Sequence, residues 1–163
     1  MRNRAISSLI TVASLAFFSQ TASAQVPVYG ANVNLEQAKK IVAGAAADAR
    51  KQNLPMAIAV VDNAGQLVAF ERMDNTQTGS IAVSQDKAVS SAMFRRPTKA
   101  FQDAVAGGGA GLRVFTLRNA NAVEGGLPII VDGKVMGAVG VSGGSAEQDG
   151  VVAKAGLDAL AAK

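Results

Sequence analysis

Leu127-Pro128-Ile129-Ile130-Val131-Asp132-Gly133-Lys134-Val135-Met136-Gly137-Ala138-Val139-Gly140-Val141 is the stretch on which the fold turns. Two apolar runs, Leu127 to Val131 and Val135 to Val141, flank Asp132-Gly133, a dipeptide that tolerates the positive φ of a tight turn and so marks a β-hairpin. An earlier segment repeats the design. Met56 to Val61 is almost continuously apolar, as in a strand covered on both faces. Asp62-Asn63-Ala64-Gly65 is a turn, and Gln66 to Arg72 returns as the partner strand.

Helical signals surround both hairpins. Before the first, Leu35, Ala38, Ile41, Val42, Ala45, Ala46 and Ala49 recur at three- and four-residue spacing and form one apolar face. Asn34 with Gln37 is a capping box at its start, and the helix is expected to end near Gln52-Asn53. Between the hairpins, Ser80 to Phe94 predicts a helix whose apolar residues include Ile81, Val83, Ala88, Ala92 and Met93. Pro97 interrupts it, since the residue before proline is pushed out of helical geometry. A short helix from Thr98 to Val105, a flexible loop over Gly107 to Gly111 and a short strand over Val114 to Leu117 are expected next. The last helix runs from Ala146 to Ala162, opened by a Ser145/Gln148 capping box, with Val151, Val152, Ala155, Leu157, Ala159 and Leu160 on its buried side. Hairpins separated by helices predict an α+β fold: a central antiparallel sheet of about five strands with helices packed on it.

The N-terminus has its own logic. Arg2 and Arg4 precede an apolar run from Ala5 to Phe18, and Ala22-Ser23-Ala24 is a cleavage site of the A-x-A type, so residues 1–24 read as a secretory signal peptide. The run is shorter than the ~20 apolar residues that span a bilayer, so no membrane span is expected after cleavage. Residues 25–33, with Pro27 and Gly30 and no periodicity, read as a loose arm, and 34–163 as a single domain. Cleavage would leave 139 residues with 14 basic and 12 acidic side chains, a formal charge of +2. That gives no electrostatic footprint for nucleic acid. The expected location is periplasmic or secreted. The chain has no cysteine, so its stability comes from packing and self-association rather than disulfides. It also has no histidine, which removes the usual residues of metal binding and nucleophilic catalysis.

From Asn34 to the C-terminus the chain resembles the GlcG/HbpS family, also found as the C-terminal domain of PduO-type proteins. The resemblance is carried by Ala57-Ile58-Ala59-Val60-Val61-Asp62-Asn63-Ala64-Gly65, Arg72-Met73-Asp74, Asp86-Lys87-Ala88, Phe94-Arg95-Arg96-Pro97-Thr98, Gly125-Gly126-Leu127-Pro128-Ile129, and Gly137 to Gly144 followed by Glu147-Gln148-Asp149. It implies a small α+β fold with a central antiparallel sheet, assembly into homo-oligomers and, for some members, haem binding at an exposed site between subunits. Some haem-binding members use a histidine as iron ligand, and members can carry histidine in the turn after Val-Val-Asp, where this chain has Asn63 and Ala64. The remaining iron-ligand candidates are Met56, Met73, Met93, Met136 and Tyr29, or a threonine hydroxyl. Each methionine equally suits a core gap.

The candidate ligand-binding set is Arg72, Asp74, Lys87, Arg96, Thr98, Gly125, Gly126, Gly143 and Gly144. Arg72, Asp74, Lys87, Arg95 and Arg96 could converge on one cleft, where guanidinium forks would hold a carboxylate such as a haem propionate. The alternative is that Arg72 pairs with Asp74 or Asp86 on the surface. Gly143-Gly144-Ser145 precedes a helix but lacks the P-loop and dinucleotide fingerprints, so its glycines serve a sharp turn or a close backbone approach. Glu147 and Asp149 are too few for a dedicated hard-cation site.

Three functions fit these residues. One is an exported binder of a small ligand, haem or a similar anionic planar molecule, in an oligomer. A second is an enzyme on a small organic acid or aromatic substrate, with Lys87, Asp74 or Glu147 as acid or base. The third is an accessory oligomeric protein with no catalytic role.

Overall fold

The computed structural model describes residues 26–162. The signal-peptide reading of residues 1–24 lies outside them. The elements are β1 (Val28–Tyr29), α1 (Leu35–Lys51), β2 (Ala57–Asp62), β3 (Leu67–Arg72), α2 (Gly79–Phe94), α3 (Lys99–Ala106), a 3-10 helix (Gly109–Thr116), β4 (Gly126–Val131), β5 (Lys134–Ser142) and α4 (Ala146–Ala161). The α+β architecture is as expected, with helices packed on a five-stranded sheet.

β5 is the hub of the sheet. β4 pairs antiparallel along one side of it and β2 along the other, with β3 antiparallel on the outside of β2. The β4–β5 turn puts Asp132 at φ 49° and Gly133 at φ 71°, the two positive angles of a hairpin turn whose twist matches its strands. In the β2–β3 turn, Asp62 Oδ1 accepts from the backbone N–H groups of Ala64 and Gln66, each at 2.9 Å, while Gly65 takes φ 78°.

Alternation along β2 divides the interior in two. Ile58 and Val60 face α1 and α4, joining Ile41, Val139, Val141 and Val152 in the larger core. Ala59 and Val61 face the other way, where α2 covers them with Ala88 and Ala92. Small residues let helices approach. A Cβ on Gly140 would fall on the Ser84 carbonyl of α2, and one on Gly44 of α1 would collide with Ala159 of α4. Both predicted capping boxes form: Asn34 Oδ1 and Ser145 Oγ accept from the N–H groups of Gln37 and Gln148, and both glutamine side chains return the bond.

Four expectations need correction. The arm is not loose: Val28–Tyr29 adds to the sheet, parallel to Lys134–Val135 of β5, and Tyr29 Oη shares its single proton between the carbonyls of Ala92 and Met93 at the end of α2. Val114–Leu117 is not a strand: Gly109–Thr116 coils into a 3-10 helix that packs beside α3, so the fifth strand is β1. The sheet-facing side of α2 is more polar than expected, since Ser80, Ser84, Ser90 and Ser91 are buried there while Met93 is exposed. Leu35 and Val151 also face outward, while α4 buries Val152 as expected and adds Asp149, Ala153 and Gly156.

Candidate functional site

The charged residues grouped by sequence occupy three different places. Lys87 lies in the interior with its side chain 1% exposed. Its Nζ donates to Asp149 Oδ2 at 2.6 Å and to the Val141 carbonyl at 3.0 Å, which joins α2 to β5 and α4. Asp149 Oδ1 accepts from the Gly144 N–H. Burial pushes the Asp149 carboxyl above the usual carboxylate range, against the lowering influence of Lys87 and of the Gly144 and Gly143 backbone.

Five more candidates surround this pair. A Cβ on Gly125 would come within 2.8 Å of both Lys87 Nζ and Asp149 Cβ. Gly126 lies against Thr98, whose Oγ1 accepts from the Gly126 N–H while the Thr98 N–H donates to the Gly126 carbonyl. Gly143, at φ 156°, presses on Pro55 and Met56. The geometry therefore gathers Lys87, Thr98, Gly125, Gly126, Gly143 and Gly144 with Asp149, but as an interior node. Thr98 is fully buried, and none of these residues lines the open clefts described below. Lys87 consequently does not share a cleft with Arg72, and its ammonium group is already engaged by protein atoms.

Arg72 and Asp74 line an open cleft of about 650 Å³ where the end of β3 meets the loop after α1. Leu54 and Pro55 supply apolar wall, Met73 a thioether, and Arg50 a second guanidinium. Arg50 is paired with Glu71 at 3.1 Å. Sequence reading missed Arg50: the last turn of a helix is an ordinary place for a basic residue, and only the fold brings it beside β3.

Arg95 and Arg96 lie elsewhere. The Arg95 guanidinium stacks over the Tyr29 ring at 5.1 Å and donates to the Pro27 carbonyl. The Arg96 guanidinium sits 5.7 Å from the centre of the Phe101 ring in a different cleft, between α3 and the 3-10 helix.

Burial sorts the candidate iron ligands. Met56 is fully buried and Met136 packs against the larger core. The Tyr29 hydroxyl is committed to two carbonyls, and the Thr98 hydroxyl to the interior node. Met93, 43% exposed, accepts from Asn119 Nδ2 at 3.4 Å. Among the four candidate methionines and Tyr29, Met73, which also packs against the larger core, is the one that lines the cleft holding Arg72. In the turn between β2 and β3, Asn63 Nδ2 donates to the Gly30 carbonyl, and Asn63 Oδ1 is buried without a partner among the described residues. That amide fastens the N-terminal arm. The residues present thus fit a planar, carboxylate-bearing haem at the β3 cleft in size, in the Arg72 fork and in one soft donor, although Glu71 and Asp74 offset the two arginines and no imidazole is present.

Known proteins agree with this fold. Residues 33–158 match the family described as haem degrading protein HbpS-like. Protein GlcG of Escherichia coli K12 is 40% identical over 107 residues, covering 66% of this chain and 78% of GlcG. The crystal structure of Klebsiella pneumoniae protein ORFY superposes with a TM-score of 0.76 at 32% identity, covering 92% of this chain and 99% of that one. The crystal structure of a PduOC:haem complex does so with a TM-score of 0.71 at 25% identity, covering 78% of this chain and 94% of that one. With the family match spanning the domain and its α+β fold shared by these relatives, the chain belongs to the HbpS-like family.

Proposed function

We propose that this protein binds haem, or a similar anionic planar molecule, at the cleft formed by the end of β3 and the loop after α1, and that it works as an exported homo-oligomer. The observation that carries the site is the meeting of Arg72, Arg50 and the Met73 thioether over an apolar wall of Leu54 and Pro55. The PduOC:haem complex, a structural neighbour, supports the choice of ligand.

Each residue would have a distinct task. Arg72 would hold a carboxylate through its planar fork of donors. Arg50 contributes less to an anion because Glu71 already neutralises it. Met73 would present its thioether sulfur to the iron, one of the donor types that hold haem. Asp74 on the rim works against anions and limits the affinity of the open cleft. A bound haem would supply an iron centre for ligand or electron exchange; the protein's part is to bind, orient and partly desolvate it.

Visible absorption titration of the chain lacking residues 1–24 with hemin tests this reading. A saturable, shifted Soret band is expected at about one haem per chain or per pair of subunits. Arg72→Ala should weaken binding about tenfold or more, the loss of one charged hydrogen bond, and Met73→Ala should move the Soret band. Sedimentation of the same samples reports the oligomer. Absence of a specific shift would discard the haem reading.

A further inference from the structure

We propose that the cleft between α3 and the 3-10 helix is a second binding site, one that takes a carboxylate carried on an aromatic or similarly flat apolar body without a metal. The cleft has a volume of about 430 Å³ and is lined by Phe101, Val114 and Leu117, with Arg96 and Arg113. No Asp or Glu lines it. This charge pattern contrasts with the β3 cleft, where Glu71 and Asp74 oppose the arginines.

The cleft is built rather than accidental. Gly111 lets the 3-10 helix press against the Ala104 carbonyl of α3, where any Cβ would collide, so the two walls are set at a fixed spacing. Phe101 and Val114 are largely buried at its base. The Phe101 ring is held edge-on by Phe94, with ring centres 5.1 Å apart at 80°. Phe101 is itself covered by the Arg96 guanidinium, so a flat apolar body would lie against the exposed Leu117 and Ala100 of the lining and stack on that guanidinium plane.

Two guanidinium groups set the charge of the ligand. The Arg96 side chain is pinned by Nε donation to the Phe94 carbonyl at 3.2 Å and lies over Phe101. This leaves its terminal nitrogens without a side-chain or backbone acceptor among the described residues. Arg113 makes no side-chain hydrogen bond or ion pair among the described residues either, and Asp103 of α3 is held by Lys99 at 2.7 Å. A carboxylate can satisfy both forks at once. No methionine, tyrosine or histidine lines the cleft, so it offers iron none of the usual ligands and does not duplicate the proposed haem site.

Calorimetric titration with naphthoate, and with neutral naphthamide as its matched control, decides the matter. Saturable naphthoate binding is expected, with naphthamide at least tenfold weaker. Arg113→Ala should weaken naphthoate binding about tenfold, and Ala100→Leu, which narrows the cleft from an exposed position, should do the same with the circular dichroism spectrum retained. Backbone amide resonances of Phe101 and Val114 should shift on binding, while Arg72→Ala and Met73→Ala should bind naphthoate as the parent does. No saturable binding, equal binding of the amide, or loss on Arg72→Ala with Arg113→Ala unaffected would each overturn the proposal. Naphthoate binding by a protein that takes no hemin would retain this site and discard only the haem reading; hemin binding without naphthoate binding would do the reverse.

Discussion

Lys87 shows how far a residue's chemistry can be misjudged before its surroundings are known. A lysine beside Asp86 on a helix reads equally as an anion anchor or a surface charge, yet here it is the largest fully buried side chain. Asp149 was legible only as a negative charge on the first turn of α4, where it suits the helix dipole. Their pairing joins positions 62 residues apart, a separation no local pattern reports. Removing one partner leaves the other without its ion-pair partner in the interior, so Lys87→Met and Asp149→Asn are each expected to cost about 3–5 kcal/mol, and the double variant less than their sum. Chemical denaturation of all three checks this. The pH dependence has a definite sign. Because burial holds the Asp149 carboxyl high, the folded chain takes up this proton more readily than the unfolded one. Its contribution to stability is complete below the ordinary carboxylate value and is lost as pH rises through the raised one. The stability gap between the parent and Asp149→Asn should therefore widen on acidification from neutral pH; a narrowing gap would mean that the Lys87 ion pair outweighs burial.

Elements were more legible than residues. Both capping boxes, both hairpins and the ends of α1 lie where local rules place them, because caps and tight turns are decided by neighbours a few positions apart. The sheet-facing side of α2 was not legible. Its serines follow no apolar stripe, and they are buried because α2 lies directly on Gly140 of β5 and on the small side chains of Ala59 and Ala138. Gly140→Ala is accordingly expected to force α2 away from the sheet and destabilise the fold by about 1–3 kcal/mol, as overpacking does. A melting temperature equal to that of the parent would contradict this account. Val114 to Leu117 has the composition of a strand, but the contact between Gly111 and Ala104 carries the chain into the 3-10 helix instead.

At the scale of the whole molecule, the N-terminal arm closes the structure. Tyr29 bridges β1 to the end of α2, while Arg95, in left-handed geometry at φ 55°, stacks on its ring and reaches Pro27. Tyr29→Ala should cost about 1–2 kcal/mol, from one hydrogen bond shared between two carbonyls and one exposed cation–π contact. It should also open the arm to proteolysis near residue 30; unchanged melting and cleavage would show that the β1 pairing alone holds the arm. Outside this region the surface carries large apolar side chains, including Phe115 at 71% exposure and Leu112 beside it. They are in keeping with the self-association proposed here, though scattered apolar side chains are common on monomers as well.

Periodicity, caps and turn chemistry were enough to place four α-helices and two hairpins, and the ordered motifs were enough to indicate the family, because these signals are local or linear along the chain. The grouping of charges depended on tertiary structure. Helix packing sent Lys87 inward to Asp149, brought Arg50 from the end of α1 beside Arg72 and Met73, and put Arg96 and Arg113 in the lining of a separate cleft. A side chain's electrostatic role depends on its burial and its partners, and both are properties of the folded chain.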